Sequence, residues 1–312
     1  MTPTDSKSRS WAKLGCFGVI GAAILLVLVL GIAAGVALFQ NRSATSETRE
    51  LEQSVPLSPR AVEPALPLLD ESPSVPARIV LDFAVTQATI VPGPPGAPIR
   101  IEADYDTSRF ELRQETTEEH GEGWITRISL LPIGSPGWEL FRVKLGARPP
   151  WVRITLPRDV PIDLEGEFVK GFVAMELGGL WIRTVDLEVS DGAAELSFYE
   201  PLREPMDRIE VRASTGALEI SSLGNASPAS ASITQRLGAL GLDLRGAWLR
   251  DAEIHIQGGR ASGGSIWLPS NTRIEGLETA GPFTAPGPVP EIEPPTLRFD
   301  MPGPQRNLIV IK

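Results

Sequence analysis

Two histidines, His120 and His255, are all the imidazole this chain offers for acid–base or zinc chemistry. His120 sits in the run Glu118-Glu119-His120-Gly121-Glu122, which has donors for a weak cation but the composition of a solvated hairpin tip. His255 alternates with Ile254 and Ile256, which puts it on the wet side of a strand. The sequence has no Gly-x-Ser-x-Gly elbow for a nucleophile and no Gly-x-Gly-x-x-Gly loop for a phosphate. Asp186, Glu188, Glu195, Glu210, Glu219 and Asp243 are the remaining candidates, because parallel β-helix lyases and hydrolases gather carboxylates on one face. Here they alternate with apolar residues and stand among Arg208, Arg212 and Arg245, the pattern of an ordinary solvated sheet face. No catalytic residue, metal ligand or cofactor is expected.

Binding by stacking has one candidate region. Trp138, Phe141 and Trp151, the last preceded by Pro149-Pro150, concentrate aromatic surface that can stack on sugar rings, dock a partner or pack as a cap. The net charge of −10, with basic residues Lys7, Arg9, Lys13 and Arg42 concentrated before and just after the first apolar run, gives the rest a field that repels phosphate backbones. Nucleic acid is excluded as a partner on that ground. The one cysteine, Cys16, leaves no thiol for a disulfide elsewhere, and it stands at the start of the apolar run, whereas a lipoprotein signal needs it at the end.

The elements that would position such a surface begin with an anchor. Residues 15–39 contain no charge and, as a helix, would reach about 37 Å, enough to cross roughly 30 Å of hydrocarbon with some tilt. Lys7, Arg9 and Lys13 precede the run, so residues 1–14 are expected in the cytoplasm and the remainder outside. A cleaved signal peptide is the competing reading, given the small residues at Ala33-Ala34-Gly35 and Gly35-Val36-Ala37. Residues 40–77 follow as a stalk containing Pro56, Pro59, Pro64, Pro67, Pro73 and Pro76, which favour an extended spacer over a packed element.

Beyond the stalk, residues 78–280 read as all-β, with a repeat core at 152–277. Val185, Leu187 and Val189 alternate with Asp186, Glu188 and Ser190; Ile209, Val211 and Ala213 alternate with Arg208, Glu210 and Arg212. Each such strand meets a glycine and then a second alternating stretch, at Gly171, Gly192, Gly216, Gly238 and Gly263, spaced 21, 24, 22 and 25 residues apart. That period predicts a β-solenoid of stacked two-strand rungs, each turning at a corner that needs glycine's permissive φ. A β-sandwich with similar strand lengths is the alternative. Segments 78–91, 99–104, 110–115 and 124–131 also alternate and are expected to cap or extend the stack. Residues 281–305 are proline-rich, and 306–312 resume as a strand able to cover an open edge.

At Val152-Arg153-Ile154-Thr155-Leu156-Pro157, at Gly216-Ala217-Leu218-Glu219-Ile220, at Leu223-Gly224-Asn225-Ala226 and at Ile266-Trp267-Leu268-Pro269 the chain resembles the toast-rack type of β-solenoid domain. That domain occurs in bacterial cell-wall-active antibiotic response proteins and in adhesin-like domains. The resemblance covers about 120 residues. It implies membrane association, and in some members regulation of envelope stress through a membrane kinase; a single anchor departs from those regulators.

The expectation drawn from these readings is a non-catalytic, single-pass protein of the bacterial cell membrane, its C-terminal domain outside the cytoplasm. It would bind or sense an envelope protein or glycan, with the membrane itself as partner through residues 15–39. A structural or adhesive surface module is the first alternative, and a carbohydrate-active β-helix enzyme the second.

Overall fold

Alternating sequences that change phase at a glycine become long strands that turn a corner without ending. The computed structural model describes residues 76–119, 123–133, 149–277, 294–302 and 308–311, so the expected anchor at 15–39 and nearly all of the stalk lie outside the described residues. The described residues form an all-β unit whose thirteen strands join in one mostly parallel sheet. The only helical element among them is a single 3-10 turn at Leu223–Asn225. No described helix is long and apolar enough to cross a membrane.

The repeat comprises β6 (Ile162–Glu176), β7 (Ile182–Ser197), β8 (Arg208–Ser221), β9 (Ser230–Asp243) and β10 (Ala252–Trp267), each parallel to the next. Within β6 to β9 the buried set changes parity. Val185, Leu187 and Val189 are buried before Gly192, and Ala194 and Leu196 after it; Ile209, Val211 and Ala213 precede Gly216, and Leu218 and Ile220 follow it. A flat strand keeps one parity on one face, so the change is the trace of the corner. Both halves therefore point their apolar residues at the same core.

The corner glycines stack. Gly171, Gly192, Gly216 and Gly238 are partners in consecutive ladders, with φ between 120° and 150°. A Cβ on Gly192, Gly216 or Gly238 would lie 1.9, 1.6 or 1.8 Å from the carbonyl oxygen of the glycine one rung earlier. Glycine is thus required twice at each of these four corners, for its φ and for the close approach of the neighbouring backbone. The fifth expected corner, Gly263, is corrected by the structure: Ser262 is the residue opposite Gly238, because β10 has an irregularity between Gly258 and Ala261.

Return segments carry the chain from one rung to the next and turn apolar residues inward. Leu177 and Leu180, then Phe198, Leu202 and Met206, then Leu223 and Ala226, then Leu244 and Trp248 are all buried. Each fully buried side chain of this size contributes roughly 2 kcal/mol. Backbone bonds link successive return segments as well: Leu202 N–H donates to the Asn225 carbonyl at 3.1 Å, and Gly224 N–H to the Arg245 carbonyl at 3.2 Å. Asn225 ties its own segment to the two beside it, its Nδ2 donating to the carbonyls of Phe198 (2.8 Å) and Tyr199 (3.2 Å) while its Oδ1 accepts from Ala247 N–H (3.1 Å). With both ends of its amide engaged, Asn225 is a structural clamp.

The first rung in space is not the first in sequence. β1 (Ala77–Pro92) pairs along its whole length with β6 on one side. On its other side β4 (Gly123–Pro132) covers its first half and β5 (Trp151–Leu156) its second. β3 (Phe110–Glu119) and β2 (Arg100–Asp104) then close that end by antiparallel pairing with β4 and β5. At the opposite end β12 (Thr296–Asp300) and β13 (Leu308–Ile311) split the last rung in the same way, pairing with the two halves of β10, and β11 (Arg273–Glu275) lies outside β12. The exposed side chains of β3 include Glu111, Arg113 and Glu115, charge of the kind that blunts an edge against further pairing.

Candidate interaction surface

The corner divides the exposed residues into two faces. Ahead of the glycines, side chains stack in columns: Glu165, Asp186, Glu210, Ser232, His255 and Asp300 form one, and Asp82, Glu167, Glu188, Arg212 and Thr234 another. Carboxylates in register repel one another, and arginines placed between them offset the repulsion. Arg212 is the hub. Its Nη2 is 2.7 Å from Asp186 Oδ1, its Nε is 3.9 Å from Glu188 Oε2, and its Nη1 bonds Glu210 Oε1. Partial burial works to lower the Arg212 pKa, but the Asp186 and Glu210 carboxylates outweigh it and hold the guanidinium above its usual range. Arg78 makes a two-pronged bond to Glu165, both contacts 2.8 Å.

An open groove of about 390 Å³ runs across this face, lined by Asp82, Arg127, Glu165, Glu167, Glu188 and Arg212 among others. Among the described residues no three His, Cys, Asp or Glu side chains are placed to hold a metal ion together. His255 meets Asp300 rather than a cluster, Nδ1 to Oδ2 at 2.9 Å.

Beyond the glycines the second face is low. Ala193, Ala217, Ala239 and Gly263 form one column, and Ala174, Glu195, Glu219, Gly241 and Ser265 the next. Glu195 and Glu219 lie directly opposite each other on β7 and β8. Neither has a hydrogen-bond or ion-pair partner among the described residues. Asp243 differs: its carboxylate accepts from Arg245 Nε (2.8 Å), Nη2 (2.9 Å) and backbone N–H (2.9 Å). Burial raises the Asp243 pKa, but these bonds and that from the Ser222 backbone lower it further, leaving it below the ordinary 3.8. Half-buried Trp267, on β10, reaches diagonally over Gly241, its Cζ3 3.9 Å from where a Cβ on that glycine would stand.

The six carboxylates that the sequence groups on one face are therefore on two: Asp186, Glu188 and Glu210 before the corner, Glu195, Glu219 and Asp243 after it. The change of parity across each glycine carries that signal. Of the aromatic candidates, Trp138 and Phe141, like His120, lie outside the described residues. Trp151 opens β5, half-buried between Gln87 of β1 and Asp104 of β2. Trp267, which the sequence offers only as part of Ile266-Trp267-Leu268-Pro269, is brought beside Gly241 of the preceding rung, a neighbour that local sequence does not announce.

No protein-family model matches the sequence, and no curated protein matches it. A crystal structure described as a putative cell adhesion protein from Clostridium sporogenes is similar, with a TM-score of 0.50 and 11% identity over 70% of this chain and 99% of that one. At that identity the likeness establishes a shared all-β fold.

Proposed function

We propose that this chain is a non-catalytic β-solenoid of the toast-rack type that acts as an adhesive or structural module at a bacterial cell surface. The observation that carries the reading is the in-register stack of β6 to β10, which holds two rigid faces of exposed columns and spreads its polar groups across them. Such a surface suits attachment over an area. The fold shared with a protein described as a putative cell adhesion protein supports adhesion ahead of envelope sensing.

In this reading residues 15–39 anchor the chain, with the N-terminus in the cytoplasm, and the stalk holds the β domain off the membrane towards an envelope protein or glycan. Beads coated with the full chain in mild detergent and mixed with isolated bacterial envelopes test it. Retention above that of beads carrying the heat-unfolded chain is expected; retention equal to that control overturns the reading.

A further inference from the structure

We propose that the second face carries a glycan subsite in which the Trp267 indole stacks on an amino-sugar ring while Glu195 and Glu219 take its amine. The inference rests on the adhesive reading and names the chemistry of its partner.

The indole supplies the platform. Trp267 Cζ3 lies 3.9 Å from the Cβ position of Gly241, where no side chain intervenes, and the half-buried indole leaves surface open. Ala217, Ala239 and Gly263 keep the floor beside it low. A flat, low shelf ending in an aromatic ring is the shape on which the apolar face of a pyranose packs.

The carboxylates supply the polarity. Glu219 borders the same glycine on its other side, its Cγ 3.5 Å from the Cβ position, and Glu195 continues the column one rung further. Shielding of the Gly241 backbone alone would explain the indole but not the carboxylates. Like charges directly opposite on neighbouring strands cost stability, and the first face relieves that cost with Arg212. Glu195 and Glu219 have no such arginine among the described residues. A ligand ammonium placed between them supplies the missing cation. Asp243 is excluded from this role because Arg245 already engages it.

Calorimetric titration of the full chain in mild detergent, with a β-1,4-linked glucosamine hexamer and its N-acetylated counterpart as probes, tests the subsite. The expected result is binding of both, the free amine about tenfold tighter. Trp267→Ala should lose both hexamers and Trp267→Phe retain them, while Glu195→Gln with Glu219→Gln should erase the preference for the amine and keep the stacking. Absence of hexamer binding by the wild type, or unchanged binding by a Trp267→Ala chain of wild-type denaturation midpoint, overturns the subsite. The envelope-bead assay separates the two claims: wild-type beads that hold envelopes without binding either hexamer leave adhesion standing and the subsite refuted. Beads that hold nothing, beside a chain that binds the hexamers through Trp267, refute adhesion and leave the subsite.

Discussion

Gly216 sits directly beneath Gly192, so close that a Cβ on Gly216 would stand 1.6 Å from the Gly192 carbonyl oxygen. The same contact recurs from Gly171 to Gly238, and it ties the spacing of glycines in the sequence to the spacing of backbones in the stack. Nothing at the corner yields cheaply, because the obstacle is the main chain of the preceding rung.

Gly216→Ala is therefore expected to cost more than about 3 kcal/mol, combining a φ of 120° with the backbone clash. Gly241→Ala is the matched control: its nearest neighbour would be Glu219 Cγ at 3.5 Å, an ordinary contact, and the change should stay within about 1 kcal/mol of wild type. Urea midpoints of the two variants make the comparison.

Asn225→Ala removes three bonds that join successive return segments and should destabilise the fold by about 2 kcal/mol. Asn225→Asp keeps the acceptor for Ala247 N–H but turns a carboxylate towards the Phe198 and Tyr199 carbonyls, so it should not rescue. Equal stability of the Asp variant and wild type in thermal melts would contradict the clamp.

The Asp243–Arg245 pair sets a pH dependence of known sign. Asp243 titrates below 3.8 in the folded chain, so its contribution is present above that pH and is lost as pH falls through the depressed folded value. Asp243→Asn should flatten the acid limb of the stability curve below about pH 4 and leave its slope near neutrality unchanged. Denaturant midpoints measured from pH 2 to 7 decide it.

Much of the stack was legible in the chain, and the reasons are physical. A corner reverses the parity of buried residues, so Val185-Leu187-Val189 followed by Ala194-Leu196 records a bend that alternation alone would hide. The fifth corner was misassigned because an irregularity in β10 shifts the register between Gly258 and Ala261, and two adjacent glycines at 263 and 264 mask it. Long-range pairing left no local trace: nothing in segments 124–131 and 151–156 announces that each covers half of β1. The neighbourhood of Trp267 was hidden for the same reason, since Gly241 and Glu219 reach it from earlier rungs.

Arg212→Ala should destabilise the chain by about 1 kcal/mol at low salt, because it leaves Glu188 without its arginine and Asp186 and Glu210 with Arg208 alone. With Arg212 41% exposed, the loss should shrink in 1 M salt, where charges are screened beyond about 3 Å. A salt-independent loss would mean that the arginine acts by packing.

Attachment under flow tests the central claim most directly. A non-adherent bacterial host displaying the full chain, matched for surface level by an epitope tag, should be retained on envelope-coated glass well above the host displaying tag alone. Equal wash-off of the two populations would show that the stacked faces do not mediate adhesion.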